Sequence, residues 1–386
     1  MLGFERTLHL LRSLISFDTT SHLSNLPLIH WVQTYLKEYG IESTLVPNES
    51  GQKASLIARI GPEAPGGIVC SGHTDVVPVT GQPWTTEPFH LTEKEGLYYG
   101  RGTSDMKSFL ALSLALVPEL LARPLKKPFY LAFSYDEEVG CLSAPELAKT
   151  LKGMGISPDL VLVGEPTEMQ IVGAHKGIYS FETTLEGLEH HSSDPRKGVN
   201  AVQYGCLLVT RLMELAKQYA AKTFPGAEAF DPPYTTIHTG VMEGGTARNI
   251  IPLHCRFLWE IRTLPMQDFQ EILSAFQAYA AALEQEMQQV HAGARITTVQ
   301  KSSVPGLNRQ LLAPFEASIQ QLTGGNHLEA VSFATEAGIF QHQGFPVIVC
   351  GPGSIAQAHK PDEFISRDQL ERGYRFLERL ADWASA

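Results

Sequence analysis

Four apolar runs of strand length each lead into side chains that can bind a metal ion or move a proton. Ile68-Val69-Cys70 leads to Ser71-Gly72-His73-Thr74-Asp75, and Leu131-Ala132-Phe133 leads to Asp136-Glu137-Glu138. Leu160 to Val163 leads to Gly164-Glu165-Pro166-Thr167, and Val347 to Cys350 leads through Gly351-Pro352-Gly353-Ser354 to His359. A further carboxylate, Asp105, stands in Gly100-Arg101-Gly102-Thr103-Ser104-Asp105-Met106-Lys107, just ahead of an apolar helical stretch. Ligand sites in open α/β sheets lie beyond the carboxyl ends of the strands, so the repetition says more than any one motif. Imidazoles and carboxylates without a convergent Cys suit zinc, cobalt or manganese. The set serves two ions if one carboxylate bridges them, and two divalent ions ~3.5–4 Å apart clamp the oxygens of a hydrolytic transition state. Glu137 and Glu138 are adjacent, so one can face a metal while the other transfers protons. In His73-x-Asp75 the carboxylate is expected to receive the imidazole N–H and fix its tautomer. Plainer readings stand beside these. Asp105 can cap the following helix, the Glu137-Glu138 pair can be a solvated one, and Glu165 before Pro166 can be ordinary loop chemistry.

Helical and strand patterns alternate through the first half, which implies an α/β sheet with helices on both sides. Asn25 is placed to cap a helix that carries Pro27 in its first turn and runs towards Gly40. The apolar stretch Phe109 to Val117 is expected to close at Pro118 or soon after. In the middle of the chain, Tyr179, Phe181, Thr183 and Leu185 alternate with polar residues as on a half-buried strand. A helix from about Val199 to Tyr219 follows, then strand-like segments Thr235 to Val241 and His254 to Ile261. Phe269, Ile272, Leu273, Phe276, Leu283 and Met287 form one helical stripe, and Ile296 to Val299 supplies a last strand. This β-α-β-β-α-β order is ferredoxin-like. The expected organisation is an α/β-sheet domain of residues 1–177 and 299–386, with a ferredoxin-like domain of residues 178–298 inserted into it.

Composition sets the outer limits. The chain has 386 residues, 43% of them hydrophobic, enough for a sizeable core. Its 41 acidic residues exceed its 30 Lys and Arg, a formal net charge of −11 that argues against non-specific nucleic-acid binding. No apolar run reaches the ~18 residues of a membrane span. The five cysteines form no CxxC pair and are odd in number, as expected of a reducing cytoplasm. Glu5, Arg6 and Arg12 interrupt any signal-peptide core at the N-terminus. Gly100-x-Gly102 lacks the third glycine of a dinucleotide fingerprint, and no Gly-x-Ser-x-Gly elbow occurs, which removes nicotinamide and serine-hydrolase chemistry.

Taken together, Ser71 to Pro78, Gly100 to Lys107, Glu137-Glu138-Val139-Gly140, Gly164 to Thr167, and Gly351 to Ser354 with His359-Lys360-Pro361-Asp362-Glu363 resemble the M20 metallopeptidases over nearly the whole chain. The resemblance implies that His73 and Glu165 bind one metal, zinc or cobalt, that Glu138 and His359 bind the other, and that Asp105 bridges them. It makes Glu137 the general base, with Asp75 orienting His73. It gives the inserted domain the roles of lid and homodimer contact, and gives His191, in a His-Ser-Ser context, the role of oxyanion donor able to reach a partner's site. His190 departs from the family, where a small residue is common. Asn249 and Arg262 match substrate-binding positions, and Gly353 and Ser354 are expected to contact the substrate carboxylate. Glu336 is open between a substrate ammonium contact and a structural hydrogen bond. Glu336 and the His359 motif resemble the branch that deacetylates N-acetyl-L-ornithine more than the succinyl-diaminopimelate branch. The implied substrate is thus a small N-acyl amino acid. A non-catalytic amino-acid sensor on the same fold is the reading of another class, and the intact ligands and Glu137 argue against it.

Overall fold

A computed structural model of the chain describes residues 2–315, 317, 319 and 327–386. The chain divides into two compact units. One comprises Met1–Ala174, Leu307–Ala330 and Thr335–Ala386; the other comprises His175–Gly306 and Val331–Ala334. In chain order the elements up to the first crossing are α1 (Leu2–Ile15), α2 (Leu26–Glu38), β1 (Ser43–Pro47), β2 (Ala54–Ile60), β3 (Ile68–His73), β4 (Thr92–Lys94), β5 (Leu97–Tyr99), α3 (Lys107–Ala122), β6 (Phe129–Ser134), α4 (Ala144–Gly153), β7 (Leu160–Pro166) and β8 (Val172–His175). The second unit holds β9 (Gly177–Glu186), α5 (Ala201–Ala220), β10 (Thr236–Gly244), β11 (His254–Thr263), α6 (Gln270–Val290) and β12 (Arg295–Val304). The chain closes with β13 (Glu329–Val331), α7 (Ala337–His342), β14 (Val347–Gly351), β15 (Phe364–Ser366) and α8 (Arg367–Ser385).

The large sheet of the first unit has the order β1-β2-β6-β3-β7-β14-β8-β13. Its centre is parallel: β3 pairs with β6 and β7, and β7 with β14. These are the four apolar runs of the sequence, and every residue of β3, β6, β7 and β14 is buried, as continuous apolarity requires of strands covered on both faces. Because they run the same way, their C-terminal ends meet at one edge. Gly164 shows how closely α3 packs on this sheet. A Cβ there would stand 2.0 Å from the Phe109 ring, so only glycine fits between Val163 and Glu165.

Helix α3 runs through Pro118 and closes soon after, at Ala122. Pro118 cannot donate to the Leu114 carbonyl. The Tyr35 hydroxyl from α2 donates to that oxygen instead at 3.0 Å, and Arg6 donates to the Ala115 carbonyl at 2.9 Å. Asn25 takes the N-cap position of α2 without a side-chain cap bond. Its amide instead clasps the Ala54 backbone and the Thr74 hydroxyl.

In the second unit the sheet order is β10-β11-β9-β12, antiparallel throughout, with α5 and α6 supplying the apolar face. The Asn200 side chain caps α5, accepting from the Gln203 N–H at 3.0 Å. Strand β12 continues to Val304, beyond the expected Val299, because it is an edge strand whose outer residues Gln300, Lys301 and Ser303 are polar. This is why the second unit extends to Gly306 rather than to residue 298.

His175 opens this unit, fully buried, with its Nδ1 2.8 Å from the Lys176 carbonyl. Burial pulls its pKa down to about 4. The folded chain thus keeps His175 neutral while the unfolded chain protonates it below about pH 6.5, so stability falls as pH drops from 6.5 towards 4. At pH 5 the expected loss is about 2 kcal/mol. On urea unfolding at pH 7 and pH 5, the change in stability between the two pH values should differ by this increment between the parent and His175→Gln, with the parent losing more.

Candidate metal centre

The parallel register sets His73 opposite Ser134, so the loop after β6 lies beside the end of β3. His73 Nε2 is 3.0 Å from Asp105 Oδ1 and 3.7 Å from Glu165 Oε1. His359 Nε2 is 2.9 Å from Glu138 Oε2 and 3.5 Å from Asp105 Oδ2. Asp105 therefore turns one oxygen to each imidazole. Glu137 joins the first group, with ligand atoms of His73, Glu137 and Glu165 all within 4.8 Å of one another. The helix-cap alternative for Asp105 is not what forms: Met106 holds the N-cap position of α3, with no side-chain cap bond.

Two observations test whether this set fits divalent cations. Glu165 Oε1 is buried with no hydrogen-bond partner, the condition of an oxygen awaiting a cation. The electrostatics agree. Burial pushes Glu137 up to about 8 and Glu138 to about 7, with neighbouring carboxylates adding to it, and Glu165 rises for the same reasons. Hydrogen bonds to Asp105 and Glu138 push His359 up to about 10. At His73 burial opposes protonation, but the bonds to Asp105 and Asp75 prevail and the pKa is raised. The cluster is an acidic recess that calls for positive charge, and the donors are N and O atoms suited to zinc or its neighbours.

The family model described as peptidase family M20/M25/M40 matches residues 69–383. The chain belongs to that family. It is a metal-dependent amide hydrolase. It is 34% identical over 367 residues to acetylornithine deacetylase of Pasteurella multocida (strain Pm70), covering 95% of this chain and 93% of that protein. Its fold is similar to that of an M20 family metallo-carboxypeptidase from Sulfolobus solfataricus, with a TM-score of 0.74, 17% identity, and coverage of 98% and 99% of the two chains. A dinuclear metal binding peptidase of the M20 family from Bacillus subtilis aligns with a TM-score of 0.59 at 16% identity, over 98% of this chain and 97% of that one.

Within this M20 chain the supporting contacts refine several expectations. The His73 Nδ1–H donates to the Asp75 backbone carbonyl at 2.9 Å, while the Asp75 carboxylate stays 3.6 Å away. That carboxylate serves the neighbouring loop instead, accepting the Glu137 N–H at 3.1 Å, the Glu138 N–H at 3.3 Å and the Ser21 hydroxyl at 2.7 Å. Asp75 thus fixes His73 through its main chain and the two glutamates through its side chain. Lys53 adds a clamp, paired with Asp136 and the Ser21 carbonyl. Glu336 is fully buried, and its two oxygens accept from Ser71 at 2.6 Å and Ser134 at 2.8 Å. These are the hydrogen bonds of its structural reading, made to residues of β3 and β6.

Gly353 and Ser354 are also committed. The Gly353 N–H goes to Gln369, the Ser354 N–H to Ser104, and the Ser354 hydroxyl to Glu168. These bonds hold the loop that follows β14. His191, Asn249 and Arg262 lie in the second unit. His191 is exposed and bridges to Ile250, with its Nδ1 2.7 Å from the Ser193 hydroxyl, and the Asn249 carbonyl accepts the Ser192 N–H. His190 turns its Nδ1 to the His191 carbonyl at 3.2 Å. Arg262 stands apart on β11, paired with Glu260 at 2.7 Å.

Sequence reasoning gave no role to Glu363, which joins the loops carrying Asp105 and His359. It is buried, and its two oxygens accept from Arg101, Gly102 N–H, Ser104 N–H and Asp105 N–H at 2.7–3.1 Å. Only its place in the His359 motif hinted at it. Glu363→Gln turns a donor amide towards those donors and leaves the Arg101 charge buried and unpaired. We expect metal retention to weaken roughly 10–100-fold, read by chelator competition. Parent-like retention would show that the two loops hold without it.

Proposed function

We propose that this chain hydrolyses N-acetyl-L-ornithine to L-ornithine and acetate. The observation that carries the reading is the end-to-end similarity to enzymes of that name, 34–36% identical over about nine-tenths or more of this chain. In this reading His73, Glu165 and Asp105 hold one divalent ion, and Glu138, His359 and Asp105 hold the other, zinc or cobalt. When bound, the ions polarise the acyl carbonyl and lower the pKa of water enough for attack at neutral pH. Glu137 accepts the proton of the attacking water and passes it to the amine nitrogen as the C–N bond breaks. His191 donates to the developing oxyanion, and Asn249 and Arg262 bind substrate, on the family resemblance alone.

The same reading makes the inserted unit a lid and the contact of a homodimer. It places the enzyme in the cytoplasm, in arginine biosynthesis. No helix among the described residues is long and apolar enough to cross a membrane. The test is acetate release from N-acetyl-L-ornithine by metal-reconstituted protein, beside N-acetyl-citrulline, succinyl-diaminopimelate and a dipeptide. The expected result is a kcat/KM for N-acetyl-L-ornithine roughly tenfold or more above the rest. A better substrate elsewhere in the panel would replace it while leaving the metal chemistry in place.

A further inference from the structure

Away from the metal centre, the first unit holds a cleft of about 210 Å³ between the turn after β7 and helix α8, lined by Met169, Ile171, Arg372, Arg375, Phe376 and Arg379. Half of the lining residues are arginines and none is acidic. On a helix, positions i, i+3 and i+7 share a face, so the guanidiniums point the same way, from Cα atoms spread over ~10 Å of axis.

Their charge is poorly neutralised. Arg375 pairs with Glu371 at 3.2 Å, but Glu371 also serves Arg367 at 2.9 Å. Arg372 reaches Asp368 only at 4.0 Å. Arg379 has no carboxylate at ion-pair distance among the described residues, and its guanidinium lies over the Phe376 ring, 5.6 Å from the centroid. On a chain of net charge −11 this is a local surplus of positive charge. The cleft adds shape to the charge, because buried Ile171 and Phe376 give it an apolar floor.

We propose that this cleft binds a small phosphate-bearing anion of two or more negative charges, the size of inorganic diphosphate. Guanidinium forks match phosphate oxygens bidentately, and the axial spread of the three side chains suits more than one phosphate. The apolar floor excludes water beneath the anion and strengthens those bonds. The site is separate from the metal centre and does not depend on which amide that centre cleaves.

The test is calorimetric titration of the metal-loaded protein with inorganic diphosphate at low salt, repeated with inorganic phosphate. The parent should bind diphosphate saturably and more tightly than phosphate, with affinity falling as salt rises. Arg379→Ala should weaken binding about tenfold or more, and Arg375→Ala with Arg379→Ala should abolish it, while Arg379→Lys keeps part of it. Arg375 and Arg379 are both exposed, so replacing their side chains opens no core, and amide hydrolysis should be unchanged. Diphosphate held at the metal centre would bind the double variant as well as the parent, which would overturn the proposal. Absence of binding by the parent at about 10 mM would do the same.

Discussion

A Glu137→Gln chain is expected to keep its metal and lose turnover by about 10³–10⁴-fold. The geometry makes this a clean exchange. The Glu137 N–H is held by Asp75 Oδ1 at 3.1 Å, and the Cys141 thiol donates to Glu137 Oε1 at 3.3 Å. A glutamine whose amide oxygen takes the Oε1 place keeps both bonds and its volume. What it cannot do is accept a proton and give it up again, and the reading requires both: acceptance from the attacking water, then delivery to the amine. Burial raises Glu137 to about 8, with Glu138, Asp105 and Asp75 adding to it, so without added positive charge the group is largely protonated at neutral pH. Nearby divalent charge favours the ionised form and readies it as a base. Elemental analysis and steady-state kinetics on the same preparation decide the matter. Parent-like turnover with metal in place would sink the assignment of Glu137.

The ligand frame was legible for a physical reason. Parallel strands covered on both faces must be apolar along their length, and the chemistry must sit where they stop. Each of β3, β6, β7 and β14 therefore wrote its own signal, a short apolar run ending in His73, Glu137-Glu138, Glu165 or the His359 loop. The contacts that hold the ligands left no such mark. Glu363 meets Asp105 across 258 residues of chain, and Ser21 meets Asp75 across 54. Such pairs have no periodicity, so the residues read as ordinary loop polars. Asn25 misled for the opposite reason. It stands where a helix cap belongs and spends its side chain on a distant partner instead. The donor that satisfies the Leu114 carbonyl in place of Pro118 was equally hidden, because it comes from Tyr35 on another helix.

Asp105→Ala is expected to remove both metal ions, whereas Glu138→Ala removes only one. The difference follows from how the oxygens are shared. Glu138 faces His359 at 2.9 Å, and Asp105 faces His73 with one oxygen and His359 with the other. Loss of Glu138 strips one imidazole of its nearest acid and leaves His73, Asp105 and Glu165 as a group. Loss of Asp105 takes away the carboxylate that faces both imidazoles, so neither His73 with Glu137 and Glu165 nor His359 with Glu138 keeps it as a shared ligand. It also removes a carboxylate that hydrogen bonds from both histidines hold below its usual pKa in spite of its burial. Elemental analysis after dialysis should give about two ions per chain in the parent, about one in Glu138→Ala and close to none in Asp105→Ala. Far-UV circular dichroism separates loss of metal from loss of fold. A tightly held ion in folded Asp105→Ala would mean that Asp105 serves one ion only, and the bridge would have to be sought in Glu137, the remaining carboxylate within reach of His73 and Glu165.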